Sequence, residues 1–115
     1  MKISGQYLAY NEYRALGGTI DQTPFNILEF NARKEIDEET QGRLIGLIEQ
    51  CEEVKMCMFE LINLQTSINN GVDISGNVVN YDVNRINKIK SDTIMKYLIG
   101  CKLEDGTPYL YRGVK

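Results

Sequence analysis

The sequence predicts an all-α fold, a small helical bundle of three to four helices with an extended loop and an extended C-terminal arm. Two observations carry that expectation. Apolar residues recur at steps of three and four along three stretches, the signature of amphipathic helices. Glycines, asparagines and a proline fall between those stretches, where helices must start and stop. The length of 115 residues leaves room for one domain with one modest core. That domain is read as residues 1–115, with the arm at about 101–115.

Asn11 can cap a short helix over 12–16, and Gly17-Gly18 ends it, because glycine takes the left-handed conformation that a helix terminus needs. Asp21, Gln22 and Thr23 then precede Pro24, a residue favoured in a first helical turn. Phe25, Leu28, Ala32 and Ile36 follow at helical spacing, with Arg33, Lys34, Glu35 and Glu38 mostly off that stripe. The spacing predicts a helix over about 24–40. Gly42 and Gly46 weaken the next segment, where a short helical turn would let Leu44, Leu47 and Ile48 cover the core. The following helix is the most apolar. Val54, Cys57, Met58, Leu61 and Leu64 form its core stripe, Ile68 continues it, and Phe59 and Ile62 widen it. A stripe that wide predicts a central helix buried on more than one side. Glu52 and Glu53 suit its N-terminus, where the helix dipole favours negative charge. Asn69-Asn70-Gly71 stops it.

Residues 72–81 contain Val72, Ile74, Val79 and Tyr81 around Ser75-Gly76-Asn77. A flexible loop or an extended hairpin fits that pattern, and a mobile loop with some strand character is expected. The last helix is expected over about 83–99. Ile86, Ile89, Thr93, Ile94, Tyr97 and Leu98 face inward, and Lys88, Lys90 and Lys96 lie outside or at the border. Gly100 stops it. Asp105-Gly106 signals a turn, Pro108 resists helix, and Tyr109-Leu110-Tyr111-Arg112 reads as extended.

Composition narrows the functions open to such a bundle. A net charge of −3 gives no electrostatic reason to grip phosphates or an anionic membrane. No stretch approaches the ~20 apolar residues of a membrane span. Residues 1–10 carry no long apolar run of a secretory signal, so a reducing cytoplasm is the expected site of synthesis. Cys51, Cys57 and Cys101 are odd in number and form no C-x-x-C pair. There is no histidine, which nearly excludes the common zinc sites. Three reduced thiols, no metal and no cofactor are expected.

The lack of histidine also removes Ser-His and Cys-His nucleophile pairs. No catalytic residue and no enzyme activity is therefore expected. Glu35, Asp37, Glu38 and Glu39 read as a solvated face rather than an acid/base pair, since consecutive charges on a helix point in different directions. Gly17-Gly18 lacks the companion residues of a phosphate loop. Tyr7, Tyr10 and Tyr13 read as packing residues, because stacking on bases would need a basic groove beside them. Asn84, Arg85, Asn87, Lys88 and Lys90 do fit the exposed face of a DNA-reading helix. A small helical DNA-binding regulator is accordingly the alternative function.

The arm is the most suggestive feature. Tyr and Arg are residue types that anchor protein interfaces, and an extended segment can add to a partner's sheet edge. Tyr109, Leu110, Tyr111 and Arg112 have little neighbouring sequence in which to bury themselves. The competing reading folds this tail back on its own helices.

Four segments together carry a family resemblance. They are Leu8-Ala9-Tyr10-Asn11-Glu12-Tyr13-Arg14-Ala15-Leu16-Gly17-Gly18; the set Phe25, Leu28, Glu29, Ala32, Arg33, Ile36, Asp37, Thr40 and Arg43; the run from Val54 to Leu64; and Tyr97-Leu98-Ile99-Gly100 with Asp105-Gly106-Thr107-Pro108-Tyr109-Leu110-Tyr111-Arg112-Gly113-Val114. In their order and spacing the chain resembles the small head-completion, or head–tail connector, proteins of tailed phages and prophages of Gram-positive bacteria. The resemblance spans most of the chain except about 69–90.

It implies a structural virion protein, assembled in the host bacterial cytoplasm. Its copies would form a ring, typically dodecameric, beneath the portal protein. The ring would join capsid to tail, meet a stopper or tail-completion protein, and continue the DNA channel without binding DNA specifically. Head-to-tail contacts closing by rotation build such rings. Carried over, the family pattern puts Tyr109, Leu110, Tyr111 and Arg112 at the portal contact. The loop with Val72, Ile74, Val79 and Tyr81 would line the lumen or touch a neighbour.

Overall fold

Apolar spacing and observed helices coincide in all three long stretches. The computed structural model describes residues 6–45, 50–70, 82–103, 106 and 108–110. Four helices follow in order: α1 (Tyr10–Ala15), α2 (Gln22–Thr40), α3 (Glu52–Asn70) and α4 (Val83–Leu98). The fold is all-α. Among the described residues, extended pairing is limited to an isolated antiparallel bridge between Lys102 and Pro108. The expected loop residues Val72, Ile74, Val79 and Tyr81, and Leu47 and Ile48 of the expected short turn, lie outside the described residues.

Helix ends show where local chemistry departs from expectation. α1 is capped at Ala9, not Asn11. Glu12 reaches back to accept the Ala9 N–H at 2.9 Å, so the first turn closes before Asn11, which is exposed. α2 ends at Thr40 because Gln41 (φ 53°) and Gly42 (φ 76°) both turn left-handed. There the Gly42 N–H donates to the Asp37 carbonyl at 2.9 Å. α4 opens on Asp82, whose carboxylate accepts the Arg85 N–H at 2.9 Å. That cap satisfies one of the donors a helix N-terminus leaves without an intrahelical partner.

α3 packs against both α2 and α4. Its predicted stripe of Val54, Cys57, Met58, Leu61 and Leu64 is buried throughout, and Ile62 joins it. Phe25, Ala32 and Ile36 of α2 and Ile94 and Leu98 of α4 close over it. Each such fully buried aliphatic or aromatic side chain stabilises the fold by about 1.5–3 kcal/mol. α3 is therefore the element whose packing the other helices share.

An aromatic cluster joins α1 to this core. The Tyr13 ring lies 4.8 Å from Phe25 and 5.7 Å from Phe59, and Tyr10 lies 5.2 Å from Phe25. The Tyr13 hydroxyl accepts the N–H groups of Thr19 and Ile20 at 3.1 and 3.0 Å. The two glycines before them differ in purpose. Gly17 supplies a positive φ of 105° after the helix. Gly18 lies against the Tyr13 ring, so closely that a Cβ there would stand 2.2 Å from a ring carbon.

Candidate functional site

Both described chain ends fold onto the helices, and charged side chains hold each of them. At the N-terminal end, Gln6, Tyr7, Leu8 and Ala9 are buried although they precede α1. Glu29 of α2 reaches them. Its carboxylate accepts the Tyr7 N–H at 2.9 Å and pairs with Arg33 at 3.0 Å, and it is fully buried. Burial raises its pKa above the usual carboxylate range, against the opposing pull of the Tyr7 N–H and the Arg33 charge. The Tyr7 hydroxyl donates to Asp37. Burial and that carboxylate both push the phenol up.

At the C-terminal end the chain turns at Gly106 (φ 92°), with its N–H on the Leu103 carbonyl at 2.9 Å. The Tyr109 N–H then returns to the Cys101 carbonyl at 2.9 Å. Arg43, just past α2, donates to the carbonyls of Pro108 and Tyr109 at 3.1 and 3.4 Å. Tyr109 and Leu110 are buried, at 6% and 5% exposure. This corrects the expectation that Tyr109 and Leu110 lack neighbours in which to bury themselves. Both belong to the buried core of the bundle, and Arg43 ties their backbone down. Tyr111 and Arg112, the rest of the expected arm, lie outside the described residues.

The acidic run of α2 is divided among separate partners. Glu35 pairs with Lys90 of α4 at 2.8 Å, Glu39 accepts from Ser91 at 3.3 Å, and Asp37 takes the Tyr7 hydroxyl. Their different directions follow from helical geometry. Each therefore bridges elements, beyond the solvated role expected of them. The lysines of α4 are similarly engaged. Lys90 also donates to Gln65 at 2.6 Å, Lys88 pairs with Asp92 at 3.1 Å, and Lys96 pairs with Glu60 at 3.1 Å. Glu60 also accepts the Tyr97 hydroxyl at 2.6 Å, which, with burial, pushes that phenol up to about 12. Asn84, Arg85, Asn87 and Lys88 are exposed.

An open groove of about 620 Å³ lies beside the aromatic cluster, lined by Ile20, Met56, Phe59, Asn63 and Tyr97 among others. Larger apolar side chains stand exposed elsewhere. On α2 these are Ile27 and Phe30, at 61% and 50% exposure; on α4 they are Val83 and Met95, at 70% and 49%, with Ile99 just past its end at 44%, and Leu16 and Ile45 outside the long helices are exposed as well.

The cysteines divide into two environments. Cys57 sits in the core stripe, fully buried, and burial pushes its thiol up to about 12. Cys51, just before α3, and Cys101, after α4, are half-buried and meet. Their sulfurs and a Glu53 carboxylate oxygen lie within 4.8 Å of one another. The Tyr109 hydroxyl donates to the Cys51 sulfur at 3.7 Å. Cys spacing could not announce this cluster, because the folded tail creates it.

Sequence reasoning also passed over Glu29 and Arg43 as clamps. A carboxylate on the apolar stripe of α2, one turn before Arg33, was the available signal for Glu29. No family model, no curated protein and no solved structure matches the chain. Fold and site together define a small all-α protein whose core helix is shared and whose ends are clamped by polar side chains.

Proposed function

We propose that this protein is a structural subunit of a ring beneath a phage portal, joining capsid to tail and continuing the DNA channel. The observation that carries the reading is the pair of exposed apolar groups in different places, Ile27 with Phe30 on α2 and Met95 with Ile99 at the C-terminal end of α4. A subunit of a closed ring meets one neighbour with one surface and the next neighbour with another. Large apolar side chains left in water on α2 and α4 suit such contacts. The engaged lysines of α4 support the same reading. A duplex-binding helix needs free cationic groups for phosphates, and Lys88, Lys90 and Lys96 already face carboxylates.

In this proposal Tyr111 and Arg112 make the portal contact, and Tyr109 and Leu110 anchor the segment that carries them. Val72, Ile74, Val79 and Tyr81 belong to a lumen or neighbour contact. Deleting the gene from its phage genome and imaging the particles tests the reading. DNA-filled or leaking heads without tails are expected. Normal tailed particles would contradict it. Salt-dependent binding of a duplex, lost on Arg85→Ala, would instead support a DNA-binding regulator.

A further inference from the structure

We propose that Cys51 and Cys101 form a reversible dithiol/disulfide pair that locks the C-terminal segment onto the start of α3. The two sulfurs are already neighbours across the fold, within 4.8 Å along with a Glu53 oxygen. Both side chains are only half-buried, and a disulfide requires their sulfurs to close to about 2.05 Å. Three donors fall short of the four of a structural zinc site, and Glu53 is exposed. The two sulfurs need no third partner to bond each other.

The environment assigns the roles. Tyr109 donates its hydroxyl hydrogen to the Cys51 sulfur. Burial and the neighbouring Cys51 push the Cys101 thiol up to about 11, so Cys101 keeps its proton longer. Cys51 is thus the attacking sulfur and Cys101 the resolving one. With hydrogen peroxide as oxidant, the Cys51 thiolate attacks the O–O bond. An S–O bond forms, the O–O bond breaks, and the expelled hydroxide is protonated to water. The Cys101 sulfur then attacks the Cys51 sulfenic sulfur, the S–S bond forms, and the departing hydroxide takes the Cys101 proton as water. Two electrons pass from the thiol pair to the peroxide, which is reduced to water. An added dithiol reverses the bond by exchange.

The third cysteine is an internal control. Cys57 is fully buried and its thiol is pushed up to about 12, so it stays reduced under the same conditions. The crosslink would join residues that already hold the tail: Tyr109 returns to the Cys101 backbone and touches Cys51 with its hydroxyl.

The test uses the full chain treated with hydrogen peroxide. Thiols are titrated in denaturant, and peptides are mapped without reduction. The thiol number should fall from three to that of Cys57 alone, with a Cys51–Cys101 peptide that dithiothreitol abolishes. Amide exchange at 101–103 should slow in the oxidised protein. A peroxide-treated protein with Cys51 and Cys101 both free, linked between chains, or paired with Cys57 would overturn the proposal. An unaltered exchange rate in the crosslinked protein would overturn the locking role.

Discussion

The helical core and the two chain ends are stabilised by different kinds of interaction. In the core, α3 presents Val54, Cys57, Met58, Leu61 and Leu64 to helices on both sides. Many interchangeable apolar contacts share that stabilisation, and none is directional. At the ends, a few directional contacts are added to the burial of Leu8, Tyr109 and Leu110: Glu29 to the backbone of Tyr7, and Arg43 to the carbonyls of Pro108 and Tyr109. The core should therefore respond to substitution as one cooperative unit, and each end as a separate latch.

The largest expected effect is in the core. Leu61→Ala should cost about 4 kcal/mol, the lost transfer energy plus a cavity. A denaturant titration should show α2, α3 and α4 unfolding together. If one of these helices melted separately, the core would not be the unit described.

Glu29→Ala comes next, at about 3 kcal/mol, because it leaves Arg33 without its buried partner and the Tyr7 N–H without its acceptor. Amide exchange should accelerate first at 6–9. Its titration gives a second signature. A carboxyl whose folded pKa is raised binds its proton more tightly in the folded state. Its contribution to stability is thus present at low pH and is lost as pH rises through the folded pKa. The wild type should lose stability relative to Glu29→Gln over the pH range from the ordinary carboxylate pKa up to the raised one. A difference that does not vary with pH would show that Glu29 is not buried as a charge.

Gly18→Ala should cost about 2 kcal/mol by overpacking, since the new methyl meets the Tyr13 ring. Gly17 is constrained by its backbone instead. A stability loss at position 18 that Tyr13→Leu relieves would confirm close approach as the cause. The smallest effect belongs to Arg43→Ala, about 1 kcal/mol. It should speed exchange at 108–110 while leaving the α3 core protected, and a loss spread evenly over the core would merge the two regions compared here.

The same contrast explains what could be read from sequence. α2, α3 and α4 were legible because each carries its signal within a few turns, as Phe25, Ala32 and Ile36 do on α2 or Val54, Met58 and Leu61 on α3. The ends were not, because their partners are remote. Tyr7 and Glu29 are 22 residues apart, and Arg43 and Pro108 are 65 apart. Tyr109 and Leu110 looked extended and lacked local neighbours. They bend instead, and the bundle supplies neighbours that local sequence does not contain. At α1 the helix starts ahead of Asn11, because Glu12 reaches back to accept the Ala9 N–H.

The proposal that this bundle is a ring subunit is tested most directly by mixing the purified chain with the portal oligomer of its proposed phage and imaging the mixture by electron microscopy. An added ring of density on one end of the portal is predicted, weakened by removal of 111–115 and by Phe30→Ser. A portal that gains no density and does not cosediment with the chain would contradict the account.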